Sequence, residues 1–177
     1  MRSSALKVAF TVLPLAFSSA LTLGACKNGS NEPKVAHVKP GEMPTGARWD
    51  GVYFNPMFGN LHVSQTREGT ITGRWKTADG TKWGELNGEA EGNVLHFEWI
   101  EHKVGLVGPS AESKGKGYFV YTRPQGDNVD DELRGEWGLD QSETGNEWNS
   151  VKQRNMKPEV RTIHGDEEVG GPNKEWK

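Results

Sequence analysis

One cysteine, Cys26, stands in 177 residues, so the chain closes no disulfide within itself. No apolar run is long enough for a comfortable transmembrane span. The longest, residues 8–23, falls short of the roughly 20 apolar residues a spanning helix needs, and Pro14, Ser18 and Ser19 weaken it further. Clustered cations are missing too. The formal charge is −3; residues 1–25 hold Arg2, Lys7 and no acid, and taking their +2 from the total leaves −5 for the remainder. An acidic body argues against a nucleic-acid partner, because phosphate binding requires grouped lysines and arginines. Neither a nucleophile elbow nor a glycine-rich phosphate loop between strand and helix is present. Beyond residue 25, no helical periodicity persists for more than two turns. The expectation is a non-catalytic, non-helical protein.

Hydrophobic residues make up only 33% of the chain and mean hydropathy is −0.73, which with this length suits one domain. Glycine is abundant at 23 residues, and seven tryptophans are many for the size. That pairing fits short strands joined by tight turns.

Residues 1–7 are short and basic, and residues 8–23 are apolar with small side chains. A basic segment followed by an apolar one reads as a secretory signal. Leu23-Gly24-Ala25-Cys26 then resembles the lipobox of bacterial lipoproteins: an aliphatic residue, two small ones and a cysteine. The resemblance implies cleavage before Cys26 and a diacylglyceryl thioether on its sulfur, with an added N-acyl chain such as palmitate. Two or more acyl chains anchor stably where a single one does not. Competing readings are a free buried thiol and ordinary cleavage after Ser18-Ser19-Ala20. Lys27, rather than Asp, follows the cysteine. By similarity to the enterobacterial sorting rule, this implies the outer membrane of a Gram-negative envelope.

The expected domain plan is a signal peptide over residues 1–25 and a lipidated cysteine with a flexible tether over 26–47. A β-barrel over 48–153 and a disordered tail over 154–177 follow. The tether contains Pro33, Pro40 and Pro44 without apolar periodicity, and the tail is similarly polar. Docking of the tail on the body or a partner is its alternative.

Between tether and tail, apolar residues alternate with a period of two. The expected strands are residues 49–54, 61–65, 71–75, 82–90, 93–100, 118–122, 133–137 and 148–152. About eight antiparallel strands close most simply into an up-and-down barrel, with an open sandwich as the alternative. Ile71-x-Gly73-x-Trp75 and Leu133-x-Gly135-x-Trp137 repeat one face, and each glycine is expected to leave room for a neighbouring ring. The run Trp49-x-x-x-Tyr53-x-Asn55, Gly59-x-Leu61-x-Val63 and Gly69-x-Ile71-x-Gly73-x-Trp75 resembles barrels of the avidin and calycin type. That resemblance implies architecture; avidins carry a tyrosine where Trp75 stands, and their polar set for biotin has no counterpart here.

Six tryptophans fall in the body. Either they fill the core or Trp75, Trp99, Trp137 and Trp148 line a pocket for a small apolar ligand; a mixture is expected, with Trp83 at the surface. The apolar loop at residues 104–109 either folds back as a plug or offers Leu106 and Val107 to a protein partner. His96 and Glu98 alternate with Leu95, Phe97 and Trp99 and so face water, and no convergent zinc set emerges from them with His62, Glu101 and His102. The acidic residues 127–132 lack the spacing of a calcium loop. Neither metal nor cofactor is expected beyond the covalent lipid.

Two functions of different kinds follow: a lipid-anchored interaction module in an envelope assembly with a protein partner, or a carrier that holds a small ligand in a tryptophan-lined interior. A Cys26→Ser variant is expected to remain unprocessed or soluble. Its fractionation with membranes exactly as the parent does would rule out the lipobox reading.

Overall fold

A computed structural model describes residues 32–165; Cys26 and the signal segment lie outside the described residues. Nine strands form in chain order: β1 (Gly51–Asn55), β2 (Gly59–Gln65), β3 (Thr70–Lys76), β4 (Lys82–Glu91), β5 (Val94–Lys103), β6 (Glu112–Thr122), β7 (Glu132–Leu139), β8 (Asn146–Glu147) and β9 (Ser150–Lys152). Each strand from β1 to β7 pairs antiparallel with the next, β7 pairs with β8 and β9, and β9 returns to β1. The sheet is therefore a closed antiparallel barrel. Its eighth stave is β8 and β9, interrupted at Trp148 and Asn149. Closure removes both sheet edges. The only helical element among the described residues is a single 3₁₀ turn, Pro109–Ala111.

The expected closed barrel is what forms, and its architecture is consistent with a calycin-like barrel. Inward and outward residues alternate most clearly on β2, β3 and β6. Tyr53, Leu61, Val63, Ile71, Trp75, Leu86, Leu95, Phe97, Trp99, Phe119, Tyr121, Leu133 and Trp148 share one buried core.

Several boundaries differ from the sequence expectation. β6 begins at Glu112 rather than residue 118, because Lys114–Lys116 and the flanking glycines carry no β-branched or aromatic signal. β5 runs to Lys103, which brings Glu101 and His102 into the strand. The last stave is broken in two. At the break the Trp148 amide donates to the Gly135 carbonyl at 2.9 Å, and Asn55 Nδ2 donates to the Asn149 carbonyl at 2.6 Å, so the gap is closed by other bonds. Trp49 precedes β1 but is still buried.

The room for rings also lies elsewhere than expected. A Cβ at Gly73 would meet Leu61 and Leu86, and one at Gly135 would meet the backbone of β6, so neither makes space for an aromatic ring. The glycines that do are Gly84, Gly115 and Gly117. Gly84 pairs in register with Trp75, Gly115 with Trp99 and Gly117 with Phe97. A Cβ at Gly84 would collide with the six-membered ring of Trp75; one at Gly115 would meet both the Gly138 carbonyl oxygen and, at 2.9 Å, Trp99 Cζ2, and one at Gly117 both Phe97 Cζ at 2.6 Å and the Glu136 carbonyl oxygen at 2.7 Å. Each large ring lies over the bare backbone of the adjacent strand.

The segments on either side of the barrel lack regular structure but contact it. Lys34 accepts from the Glu143 amide at 2.7 Å, the Ala36 amide donates to the Glu143 carboxylate, and Gly41 and Asn93 exchange two hydrogen bonds. In the tail, the Glu159 amide donates to His62 Nδ1 at 3.0 Å, and Arg74 donates to the Ile163 carbonyl at 3.3 Å. Residues 34–45 and 154–165 thus strap the outside of the barrel.

Gly84→Ala should destabilise the fold by about 1–3 kcal/mol, the usual cost of overpacking. The loss should shrink in a Trp75→Phe background, where the colliding ring is gone. Denaturant midpoints of the two singles and the double measure the coupling.

Candidate functional site

The two ends of the barrel differ. One end carries the turns at residues 66–69 and 92–93, the loop at 123–131 and the start of β1. The other carries the loops at 56–58, 77–81, 104–111 and 140–145.

At the first end a knot of aromatic and charged groups closes the interior. Arg123 grips Asp131 with two hydrogen bonds, Nε to Oδ1 at 2.6 Å and Nη2 to Oδ2 at 2.9 Å. Tyr121 donates its hydroxyl to Asp131 Oδ2 at 2.5 Å, and Lys152 Nζ donates to the Tyr121 oxygen at 3.2 Å and to the Arg48 carbonyl at 2.9 Å. The ammonium also lies 5.3 Å from the centre of the Tyr53 ring and 5.4 Å from that of Tyr121, within cation–π range. Tyr53 donates to the Trp49 carbonyl at 2.9 Å, and Trp49 meets Tyr121 edge to face at 5.5 Å. Burial pushes both phenols well above their ordinary range. The Arg123 guanidinium holds the Asp131 carboxyl below its own, and burial lowers the Lys152 ammonium. Sequence reasoning did not single out this knot, because its members come from four separate segments.

The opposite end is open. A cavity of about 340 Å³ sits there, lined by Phe58, Trp75, Trp99, Trp137 and Trp148, with Met57, Lys82, Glu101, Lys103, Ser113 and Leu139 around its mouth. The four tryptophans expected to line a pocket are therefore brought into one wall. Trp148, admitted by the break between β8 and β9, is its hub. It stacks on Phe58 with centroids 4.1 Å apart and meets Trp75 at 5.1 Å and Phe119 at 5.2 Å edge to face. Trp99 and Trp137 form a second edge-to-face pair at 5.2 Å. Phe58 was missed by sequence reasoning; it lies in a turn, where strand alternation gives no signal.

The polar groups of this wall are mostly donors. Trp99 Nε1 donates to the Lys116 carbonyl at 3.1 Å, but the indole N–H groups of Trp75, Trp137 and Trp148 have no acceptor among the described residues. At the mouth, Lys82 pairs with Glu101 at 2.9 Å. Lys103 donates to the Ser110 carbonyl at 3.2 Å and has no carboxylate partner among the described residues.

The apolar loop does not plug the barrel. Leu106 is 53% and Val107 93% exposed. The loop lines a second, outer hollow of about 360 Å³ with Trp83 and His102, whose rings stack at 4.3 Å. Trp83 is indeed on the outer surface, half-buried, with the Arg74 guanidinium 5.9 Å from its ring centre. The histidines and acids weighed as metal ligands are dispersed into separate pairs: His96 with Glu143, His102 with Glu112 and Glu98 with Lys116. Three acids of the acidic loop pair with arginines, Asp130 with Arg154, Asp131 with Arg123 and Glu132 with Arg134.

Comparison with protein-family models, with curated proteins and with solved structures finds no match for this chain. The geometry alone describes a closed barrel with a buried aromatic cluster, which fits an interaction or ligand-binding module.

The knot also sets an acid limit. Because Asp131 has a lower pKa folded than unfolded, its contribution to stability is complete above the unfolded value of about 4 and is lost as pH falls through the folded one. An Asp131→Asn variant should be less stable at neutral pH and should lose less stability than the parent below about pH 4. Denaturant midpoints across that range check this, and parallel curves would count against it.

Proposed function

We propose that the protein is a lipid-anchored, non-catalytic component of a Gram-negative envelope whose barrel holds a small, ring-containing ligand at its open mouth. The anchor rests on the lipobox at Cys26. The binding reading rests on one observation, the cavity of about 340 Å³ walled by four indoles and Phe58. A packed interior would have favoured the tryptophans as core alone. Here Trp75, Trp99, Trp148 and Phe58 are buried and pack the core beneath the cavity, while the partly buried Trp137 and the mouth residues border it, so the aromatic cluster is both core and floor. Concave, largely aromatic sites with a few polar groups are the usual form of small-molecule pockets. The flat walls suit a planar or cyclic body of modest size.

The exposure of Leu106 and Val107 favours a second reading in parallel, contact of that loop with an envelope protein partner. Nearby Met57 and Leu139, 68% and 56% exposed, extend the apolar character of the mouth. The two readings are compatible, since a carrier must deliver its ligand to something.

The binding reading is tested by calorimetric titration with 2-naphthol. Saturable binding is expected in the parent protein, and a Leu139→Trp variant, which narrows the mouth from an exposed position, should bind at least about tenfold more weakly, a cost of about 1.4 kcal/mol. Its thermal midpoint should be unchanged. Absence of binding to the parent, or equal binding by the variant, would contradict an internal site.

A further inference from the structure

We infer that the ligand of the mouth cavity is an anionic ring compound, a planar or cyclic body carrying one acidic group, with the ring against the indoles and the acid at Lys103. This inference rests on the binding reading above and adds the polarity of the ligand.

An aromatic wall by itself would point the other way. Indole faces attract cations, and cages of several rings are the usual site for quaternary ammonium groups. The geometry of this wall argues against that use. Trp75 meets Trp148 at 77° and Trp99 meets Trp137 at 89°, so in each pair one ring's face is covered by its partner's edge. Phe58 stacks on Trp148 at 28° and covers another face. Ring edges are the positive part of the aromatic quadrupole, and the indole N–H is the most positive point on that edge.

The polar groups have the same sign. Three of the four indole N–H groups of this cluster have no acceptor among the described residues, although buried donors in folded proteins nearly always find one. Of the three charged residues at the mouth, Lys82 and Glu101 neutralise each other. Lys103 is left. Its ammonium has a single backbone carbonyl as hydrogen-bond partner and can donate to more than one acceptor. Ser113, in register with Glu101, adds a hydroxyl to the lining. The indole N–H groups lie beneath the cavity surface, so what the mouth itself presents is the Lys103 ammonium, which has no carboxylate partner among the described residues. A cation entering here would meet Lys103; an anion would be paired by it. The acid could be a carboxylate or a similar oxyanion, since both present the acceptor oxygens that an ammonium binds.

The test uses three probes of one shape: naphthalene-2-carboxylate, naphthalene-2-carboxamide and the cationic 2-naphthylmethylammonium, titrated calorimetrically into the parent protein and a Lys103→Met variant. In the parent, the carboxylate should bind roughly tenfold more tightly than the amide, the increment expected of one charge-assisted hydrogen bond, and the ammonium should bind weakest. Raising the salt concentration should reduce the advantage of the carboxylate. In Lys103→Met the advantage of the carboxylate over the amide should disappear, whatever binding each probe loses separately. The amide is thus an internal control for any movement of the loop that Lys103 holds through Ser110. Equal binding of carboxylate and amide by the parent, or a preference for the ammonium, would overturn the anionic assignment and leave the binding reading standing. Binding of none of the three probes would overturn both.

Discussion

The placing of a large ring directly opposite a glycine on the adjacent strand is the constraint on which this barrel depends. Trp75 over Gly84, Trp99 over Gly115 and Phe97 over Gly117 are the same device used three times. An eight-stranded barrel has little interior, and rings of this size would overfill it if every inward position carried a side chain. Glycine opposite each ring lets the indole lie against the backbone instead of standing across the lumen. The inner end can then be packed solid while the outer end keeps a hollow. Without those glycines the same tryptophans would have to turn outward or force the staves apart.

The device also explains why the two ends of one barrel differ. Towards the sealed end, inward positions are filled by Tyr53, Phe119, Tyr121 and Leu133, and the last space is taken by a charged knot whose members satisfy one another. Burying Lys152 and Asp131 in part is tolerated because each has several partners, and a half-satisfied network there would cost more than an apolar one. Towards the open end, Gly84 and Gly115 leave the space that the rings of Trp75 and Trp99 occupy. Phe58, which folds in from a turn, and Trp148, which enters through the break in the last stave, supply a floor rather than a plug.

Much of this was legible from the sequence, and the parts that were not share a cause. Two-residue alternation located most staves, and the tryptophans of β3, β5, β7 and the last stave were placed on one side because that alternation fixes the face. The early half of β6 was not legible. Its Gly115-Lys116-Gly117 looks like a turn to any propensity scale, and it is a strand only because Trp99 and Phe97 need bare backbone there. The role given to Gly73 and Gly135 was misplaced for the same reason: which glycine faces which ring depends on cross-strand register, which no single segment encodes. The sealing knot was invisible because Arg123, Asp131 and Lys152 are brought together only by closure. Residues 34–45 read as free chain, and docking was only the alternative for residues 154–165, because a strap held by a few hydrogen bonds leaves no hydrophobic period to detect.

The unpaired donors bear on whether the hollow is a by-product of poor packing. A loosely packed end would leave voids and unsatisfied groups of both kinds scattered at random. Here the backbone is paired round the barrel, and Trp99, in the same wall, does find an acceptor at Lys116. The groups left over are three indole N–H donors and one hydroxyl, that of Ser150, two residues beyond the hub Trp148. The three indoles belong to the open end, with Trp75 and Trp148 fully buried and Trp137 partly so, whereas Ser150 pairs in register with Leu133 towards the sealed end; a buried donor left unpaired is costly. At the sealed end the hydroxyls of Tyr53 and Tyr121 are each satisfied by a specific partner. A barrel whose unpaired indole donors gather along one aromatic wall while its other end is sealed by mutually satisfied groups fits an interaction or ligand-binding module.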